Sequence, residues 1–578
     1  MKTGLITKLR LNIKIRKYFF IEIFLFLIGM SFQFDCTYTP PILPSDAQNV
    51  FCIQNQSLWF PGWFKLKHPN LNGFVNPPAS LEVFNHPCNY LLWAEQMFLW
   101  VTSPQLYERN GPGRVFDSQA FYDVSPPDSN GKRTLIPHEP GKMRLFNLRS
   151  EQYGPHDLPV VFDTSGRMLE VEYSKFSPRG NQLILNREGD TLEINRAIIR
   201  KDGKPIFWDQ SGKIIPNPRP IIRPGLNTKL VVQKFMINKN PIFLDPFGNL
   251  IDIEQGQAGG NGVLEAQNGS LVYYAIMVND VYAYFLTGTK DGKINQTPSQ
   301  FPTSQDELNR IINFASLHGK TFSNPEALTV EIKTAWVQAN GLSNPDSYIT
   351  MTARIPTYDR SNPKKWVPNG QITTRLALVG LHIAGSTNAN PEMLWATFEH
   401  VNNSPLESYK YRDNDNNIVS RAMNPDASNW LFCGKEFTNP FNKMYMYYDA
   451  PNIVSVENYT IKPSNILRIN AWGSSPKYKP EYFSDVADLN SAVITLNKII
   501  YHLLIPGDVR RNYILVGITA TEHGETPSSG FPDGNIIGMN KLANTTMETF
   551  QQASNCFSCH TTNTTDVSHI FKSLKPLF

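Results

Sequence analysis

Residues 376–403, with the sequence LALVGLHIAGSTNANPEMLWATFEHVNN, decide the fold of this chain. They contain most of two apolar, strand-forming runs, at 372–384 and 393–401, with small and turn-forming residues between them. Runs of this kind with a short connection favour an antiparallel hairpin. In such a hairpin His382 and His400 approach one site. The alternative, more common for any single histidine, is a hydrogen-bonded residue of the core or its rim.

Three related segments upstream predict further hairpins. They are PVVFDTSGRML at 159–169, PIFWDQSGKII at 205–215 and PIFLDPFGNLI at 241–251. In each segment Asp can accept backbone hydrogen bonds at the start of a turn, and Gly tolerates a positive φ at its end. The turns lack the further carboxylates that a calcium loop needs, so we interpret them as structural.

The other apolar patterns predict more strands and four helices. We expect strands at 270–278, 281–286, 328–337, 348–355 and 509–521, and helices at 88–102, 304–317, 481–505 and 544–560. Ser304 followed by Glu307 is a capping box that starts the second helix. The 43 Pro and 36 Gly residues, with only 18% charged residues, also favour strands and turns over long surface helices.

The motif that carries chemistry is CFSCH at 556–560. Its C-x-x-C-H pattern is the attachment motif of c-type haem. Two thiols three residues apart can reach the two vinyl groups of one haem, and the adjacent histidine can bind the iron axially. We therefore expect one haem c, held by Cys556 and Cys559, with His560 as an iron ligand. The residues upstream must build most of the haem pocket, because only 18 residues follow His560.

Other interpretations of the motif stay open. Cys556, Cys559, His560 and His569 supply the four ligands that zinc needs, although their spacing fits no common zinc module. The two cysteines also suit a plain disulfide or a redox dithiol, although a redox dithiol usually begins a βαβ unit and none is predicted here.

The sixth iron ligand is a separate question. The candidates for a distal or pocket residue are His382, His400 and His569, with Met539 and His523 as further possibilities. Glu392 and Glu399 lie near these histidines in sequence and can orient one of them. No catalytic residue is assigned.

The predicted fold class is α+β and β-rich, with a body of antiparallel hairpins, flanking helices and a C-terminal haem-bearing helix. No clear linker divides the chain. We therefore expect one large body at 32–540, with residues 541–578 as the C-terminal helix and haem motif packed on it.

The first 31 residues have the pattern of an export signal. A basic region ends at Lys17, an apolar run follows at 18–34, and small residues around Ser31 allow cleavage after it. An uncleaved membrane anchor is the alternative. We expect a periplasmic or otherwise exported protein, associated with a membrane only if this segment is retained.

Four further cysteines suit an oxidising compartment, where thiols tend to pair. Cys52 and Cys88 are one candidate disulfide, which leaves Cys36 and Cys433 as a second candidate pair. Sequence alone does not fix the connectivity.

Several segments together resemble a group of exported bacterial proteins of the cytochrome c family that carry a C-terminal C-x-x-C-H motif. They are MFLWVTSP at 97–104, PVVFDTSGRMLEV at 159–171, the 376–403 segment and LANTTMETFQQASNCFSCH at 542–560. The resemblance covers most of the mature chain. It implies an exported haem c protein and carries the haem role onto Cys556, Cys559 and His560 alone. It implies no particular reaction.

Three functions follow from these observations. The first is electron transfer through the haem to an unknown redox partner. The second is a haem-dependent oxidoreductase with an open iron position and an acid–base residue nearby. The third is a structural or binding protein whose motif holds a disulfide or zinc. Nucleic-acid binding has no support, because much of the net charge of +4 lies in the first 17 residues.

Overall fold

The computed structural model describes most of the chain. The described residues are 40, 42–48, 56–83, 86–104, 113–126, 128, 132–139, 142–148, 158, 160–163, 168–172, 174–200, 204–226, 228–237, 240–251, 262–294, 300–423, 430–435, 440–449, 451–456, 459–527, 531–560 and 565–578. The chain forms two compact units, Met1–Ser45 and Asp46–Phe578. The predicted signal at 1–31 lies outside the described residues.

Strands dominate the second unit. The described strands are β1 Phe121–Val124, β2 Leu135–Pro137, β3 Val160–Phe162, β4 Met168–Glu172, β5 Leu183–Leu185, β6 Thr191–Glu193, β7 Arg196–Ile199, β8 Pro205–Trp208, β9 Val231–Ile237, β10 Asn240–Leu244, β11 Leu250–Ile251, β12 Tyr273–Asn279, β13 Val330–Gln338, β14 Thr350–Asp359, β15 Lys365–Thr387, β16 Asn390–His400, β17 Tyr409–Arg412, β18 Ile418–Arg421, β19 Met446–Asp449, β20 Asn452–Ser455, β21 Tyr513–Thr521 and β22 Ile536–Gly538. The described α-helices are α1 Gln56–Trp63, α2 Pro87–Val101, α3 Asp280–Lys290, α4 Gln305–Leu317 and α5 Val486–Leu503. No described helix has both the length and the apolar character needed to cross a bilayer.

The main sheet has 11 strands. Its order is β2-β1-β12-β13-β15-β16-β21-β22, with β14 and β20 also paired to β15 and β19 paired to β20. Every pairing in it is antiparallel. A second sheet of five strands has the order β11-β10-β9-β4-β3. The predicted β-rich α+β class is confirmed.

The hairpin predicted at 376–403 forms the middle of the main sheet. Its strands β15 and β16 pair with His382 opposite Thr397 and Gly380 opposite Glu399. Because side chains alternate between the two faces of a strand, His382, Thr397 and Glu399 share one face. His400 therefore lies on the other face, so this hairpin does not bring His382 and His400 to one site.

The two faces of the hairpin carry different layers. On one face helix α2 packs closely: Phe98 stacks on Phe398 with ring centroids 4.5 Å apart. On the opposite face the chain after residue 540 lies against the sheet, because a Cβ on Gly380 would come within 2.5 Å of Thr546 Oγ1. Asn544 Nδ2 also donates to Thr397 Oγ1 at 3.0 Å on that face. The C-terminal segment thus packs on the central strands.

The Asp-x-x-Gly turns form as predicted where they are described. Asp209 Oδ1 accepts hydrogen bonds from the backbone N–H groups of Ser211 and Lys213, and Gly212 has a φ of 79°. Asp245 makes the equivalent bonds to Phe247 and Asn249. In the first copy β3 pairs with β4, and turn residues 164–167 lie outside the described part of the chain.

Two predicted elements are wrong. The expected strand at 281–286 is part of helix α3, capped by Asn279, whose side chain accepts from the N–H of Tyr282. The expected helix at 544–560 is a series of turns, with a 3₁₀ turn at Cys556–Ser558. Asn544 Oδ1 accepts from both the N–H and the hydroxyl of Thr546. Local side-chain bonds of this kind compete with helical hydrogen bonds, so the haem-bearing helix does not form.

The other three predicted helices are confirmed as α2, α4 and α5. In α4 the capping box between Ser304 and Glu307 is present. Cys88, in α2, is disulfide-bonded, and its partner lies outside the described residues. Cys433 is a free cysteine whose thiol lies 3.2 Å from Asn465 Oδ1, so the predicted Cys36–Cys433 pair is wrong.

Candidate functional site

The C-x-x-C-H motif is held in a short turn on the sheet face that carries His382. Asn555 Oδ1 caps the turn by accepting from the N–H of Ser558 at 2.6 Å, and Asn555 Nδ2 donates to Asp533 at 2.6 Å. The N–H of His560 donates to the carbonyl of Cys556 at 2.9 Å. The turn therefore brings both thiols and the histidine into one compact unit.

Both motif thiols are unpaired. Cys556 and Cys559 are free, and Cys559 is buried. Burial raises the pKa of Cys559 to about 12. Burial, with the negative charge of Glu548, raises the pKa of Cys556 as well. Both groups are therefore protonated near neutral pH, which is the opposite of the low-pKa environment that reactive redox dithiols have.

His560 has a fixed orientation. Its Nδ1 lies 2.5 Å from the carbonyl oxygen of Val567, which can only accept, so Nδ1 carries the hydrogen. Its ring lies between the rings of Trp395 and His569, with centroids 4.3 and 4.0 Å away. Burial holds the pKa of His560 well below its usual value, so the ring is neutral. Its Nε2 has no hydrogen-bond partner among the described residues and keeps a free lone pair.

His569 stacks on His560 and has an unused nitrogen. Its Nε2 donates to the carbonyl of Cys559 at 3.0 Å. Its Nδ1 is buried without a hydrogen-bond partner in the described part of the chain. Burial lowers the pKa of His569 to about 4, so this nitrogen also keeps a lone pair. A buried polar atom of this kind is normally satisfied by an ordered water, an ion or a ligand.

A half-buried cluster of ionisable side chains lies beside the motif. His382 Nε2 lies 3.0 Å from both carboxylate oxygens of Glu548, which also accepts from the N–H of Asn544 at 2.9 Å. Burial raises the pKa of Glu548, but the positive charges of His382 and Lys333 and the hydrogen bonds outweigh it, and the pKa is lowered. Burial lowers the pKa of Lys333, which lies directly opposite His382 where β13 pairs with β15.

The remaining histidine and methionine candidates are used elsewhere. The ring of His400 stacks on Tyr348 with centroids 3.7 Å apart, on the other face of the hairpin, and burial lowers its pKa to about 3. Met539 Sδ accepts from the N–H of Ile518. His523 is exposed and contacts Glu522. The structure thus brings His382 and His569 to the motif, but not His400.

The two glutamates proposed to orient a histidine do not do so. Glu399 forms a buried ion pair with Arg468. Glu392 accepts from Asn390, and burial raises its pKa to about 7.

Three residues of the site, Lys333, Glu548 and Trp395, have no role in the sequence-based prediction. The alternation of VEIKTAWVQ in β13 indicates that Glu331 and Lys333 share one face, but no local signal identifies what they meet there. Glu548 lies only eight residues before Cys556, but nothing in the local sequence pairs it with His382, which lies 166 residues away.

The donor set fits a haem group. Two unpaired thiols three residues apart precede a histidine whose Nδ1–H is fixed by a backbone carbonyl, the usual arrangement for a metal-binding histidine. No group of three or more His, Cys, Asp or Glu side chains within the described ranges is arranged to hold a bare metal ion, as the zinc alternative would need.

Comparison of the chain with protein-family models, curated proteins and solved structures found no match. The resemblance to the cytochrome c family therefore stays a prediction.

Proposed function

We propose that this chain is an exported c-type haem protein that transfers electrons through one haem held by Cys556, Cys559 and His560. The observation that carries this proposal is the state of the motif. Both thiols are free, and His560 keeps Nε2 available because Nδ1 is bonded to Val567. When bound, the haem supplies one-electron redox chemistry.

The residues around the motif have distinct tasks in this proposal. Trp395 and His569 fix the ring plane of His560, and the Val567 carbonyl fixes its tautomer. The half-buried side chains of His382, Glu548 and Lys333 contribute to the electrostatic field at the site. In a low-dielectric environment such charges tune the electron affinity of a neighbouring group more strongly than they would in water.

Export is part of the proposal. The basic and apolar pattern at 1–31 supports it, and so does the disulfide at Cys88, since disulfides persist mainly in oxidising compartments.

A second candidate is a haem-dependent oxidoreductase with an open iron position. The observation that favours it is the His382–Glu548 pair, because a hydrogen-bonded histidine and carboxylate beside a redox group can deliver or accept a proton.

The test is a reduced-minus-oxidised visible spectrum of protein made in a host with c-type haem maturation. We expect a reduced α-band that survives acid–acetone extraction and disappears in the double variant Cys556→Ala/Cys559→Ala. Cys433→Ala is the matched control, since it removes another free cysteine and should keep the band.

Carbon monoxide separates the two candidates. A spectrum of the reduced protein that does not respond to the gas supports electron transfer, and a shifted band supports an open iron position. A colourless, folded and exported protein would contradict both and leave the disulfide or zinc alternative.

A further inference from the structure

A cleft of about 780 Å³ lies between β1, β2, β12 and the start of β14. Its size falls within the range of small-molecule sites, roughly 300–1,000 Å³. Phe116, Phe146 and Tyr274 supply buried aromatic surface to its walls. No residue of the C-x-x-C-H motif is among its described lining residues.

The centre of the cleft is a preformed ion-pair network. Arg144 donates two hydrogen bonds to Asp123, at 2.9 and 2.5 Å, and one to Asp117 at 2.9 Å. Burial raises the pKa of Asp123, but Arg144 and His138 outweigh it and lower the pKa to about 2. Asp123 is therefore ionised and fully engaged, so it does not repel an incoming anion as a free carboxylate would.

His138 has an unused nitrogen at the cleft. Its side chain is 5% exposed, and its Nε2 lies 3.3 Å from Asp123 Oδ1, which is an ion-pair distance without the geometry of a hydrogen bond. Its Nδ1 is buried with no hydrogen-bond partner among the described residues. An uncompensated buried nitrogen costs folding free energy, which a ligand in the cleft can recover by bonding to it.

The cleft also has surplus positive charge. Its described lining includes five cationic side chains, Arg114, Arg133, Lys142, Arg144 and Arg375, against three carboxylates, Asp117, Asp123 and Glu139. One of the five, Arg375, pairs with Asp346, which does not line the cleft. Arg133 also interacts with a carboxylate outside the lining, that of Glu331, which leaves Arg114 as the cation of the lining without a carboxylate partner among the described residues.

Arg114 is the clearest source of this excess. Its Nη1 donates to the carbonyl of Thr102 at 2.6 Å, and it makes no ion pair with a carboxylate in the described part of the chain. Burial, with the nearby charge of Arg510, lowers its pKa to about 10. Arg114 is half-buried, and the carboxylate of Asp508, which raises its pKa, is already bonded to Arg510, so an anion near Arg114 would complete the site.

The mouth of the cleft is apolar. Ile136, Met143 and Leu145 line it, although 40%, 39% and 41% of their surfaces are exposed. Three large apolar side chains that line one cleft and are also exposed suit the apolar body of a ligand.

We infer that this cleft binds a small amphipathic organic anion, with an alkyl or aryl body against the apolar mouth and one carboxylate-like group towards the cationic wall. The inference does not depend on the haem proposal, because the two sites share no lining residue.

The experiment is calorimetric titration of the full chain with three probes of one shape: 4-phenylbutyrate, 4-phenylbutan-1-ol and 4-phenylbutylamine. We expect 4-phenylbutyrate to bind at least tenfold more tightly than either of the others. Leu145→Asp adds a negative charge at the mouth and should weaken 4-phenylbutyrate binding by tenfold or more. Ile199→Asp is the matched control, since Ile199 is 46% exposed and lies outside the cleft. The affinity of this variant for 4-phenylbutyrate should equal that of the parent chain.

Absence of 4-phenylbutyrate binding would overturn the inference, and so would equal binding of the amine or an unchanged affinity in Leu145→Asp. The same titration with Cys556→Ala/Cys559→Ala keeps this test separate from the haem test, because the cleft should bind the probe whether or not the motif carries a group.

Discussion

Gly380 is a point of close approach between the C-terminal segment and the sheet. A Cβ at this position would lie 2.5 Å from Thr546 Oγ1 and 2.8 Å from Asn544 Oδ1. Real Cβ atoms do not come so near to other atoms. Only glycine therefore lets strand β15 and the C-terminal segment approach each other so closely here.

We expect Gly380→Ala to lower the free energy of unfolding by about 1–3 kcal/mol, as overpacking of a filled interior usually does. Urea unfolding measures the change. Gly534→Ala is the control, because a Cβ there meets no atom within 4 Å. Equal stability of the two variants would show that the segment does not pack on the strand as described.

His560 shows at the same scale how one hydrogen bond decides chemistry. The Val567 carbonyl selects the tautomer in which Nδ1 carries the hydrogen. The neutral ring then offers Nε2 as its only electron pair. The motif alone predicts a histidine ligand, but it does not predict which backbone carbonyl fixes the ring, because Val567 lies seven residues further on in a turn.

At the scale of elements, the segment around Asn544 replaces a helix by a network of side-chain bonds. Asn544 Nδ2 donates to Thr397 Oγ1 and to the carbonyl of Phe398, both at 3.0 Å. Its Oδ1 accepts from the N–H and hydroxyl of Thr546. One side chain thus joins the segment to β16 and shapes its own turn.

Asn544→Ala should lower the free energy of unfolding by about 1–3 kcal/mol, because it leaves buried polar groups without partners. Asn309→Ala removes an exposed amide on α4 that accepts a hydrogen bond from Gln305, and should change stability by less than about 0.5 kcal/mol. Thermal unfolding of both variants checks this. If Asn309→Ala is the more harmful change, the bonds of Asn544 do not hold the segment.

The sequence predicts elements well where a period is clear. The hairpin of β15 and β16 and the capped helix α4 follow from alternation and from a capping box. Residues 281–286 were predicted as a strand because they are apolar throughout, and α3 is buried on nearly all sides, so no helical period is visible. Strand β15 starts at Lys365, earlier than predicted, because its exposed polar half lacks an apolar pattern.

At the scale of the whole molecule, three histidines with lowered pKa values couple stability to pH in the chain without bound haem. Burial lowers the pKa of His400 to about 3 and of His569 to about 4, and holds that of His560 well below its usual value. Each histidine is neutral in the fold but binds a proton near pH 6.5 once unfolded. Their contribution to stability is therefore present above about pH 6.5 and is lost as the pH falls below it.

We expect the free energy of unfolding to fall between about pH 6.5 and pH 4, by up to about 1.4 kcal/mol per pH unit for each such histidine. His400→Gln should reduce this slope by one histidine's share, and His523→Gln should not, because His523 is exposed. Urea unfolding across this pH range gives the slopes. A slope that is the same in His400→Gln and the parent chain would contradict a neutral, buried His400.

The candidate site was predictable only in its local part. Cys556, Cys559 and His560 are neighbours in sequence, and their spacing matches the C-x-x-C-H motif. The cluster of Lys333, His382 and Glu548 draws its members from β13, β15 and the C-terminal segment. These are far apart in sequence and become neighbours because β13 pairs with β15 in the sheet. His382 was among the candidates, but its partner Glu548 was not. Residues 544–560 were predicted to form a helix, and they form turns instead.

The packing of residues 541–578 on the sheet has a consequence for biosynthesis. Ribosomes deliver these residues after every strand of the main sheet. The apolar side chains of α3 and α4 that Val567, Ile570 and Phe571 cover stay open to solvent until then. A nascent chain stalled before residue 541 would therefore present this surface to chaperones.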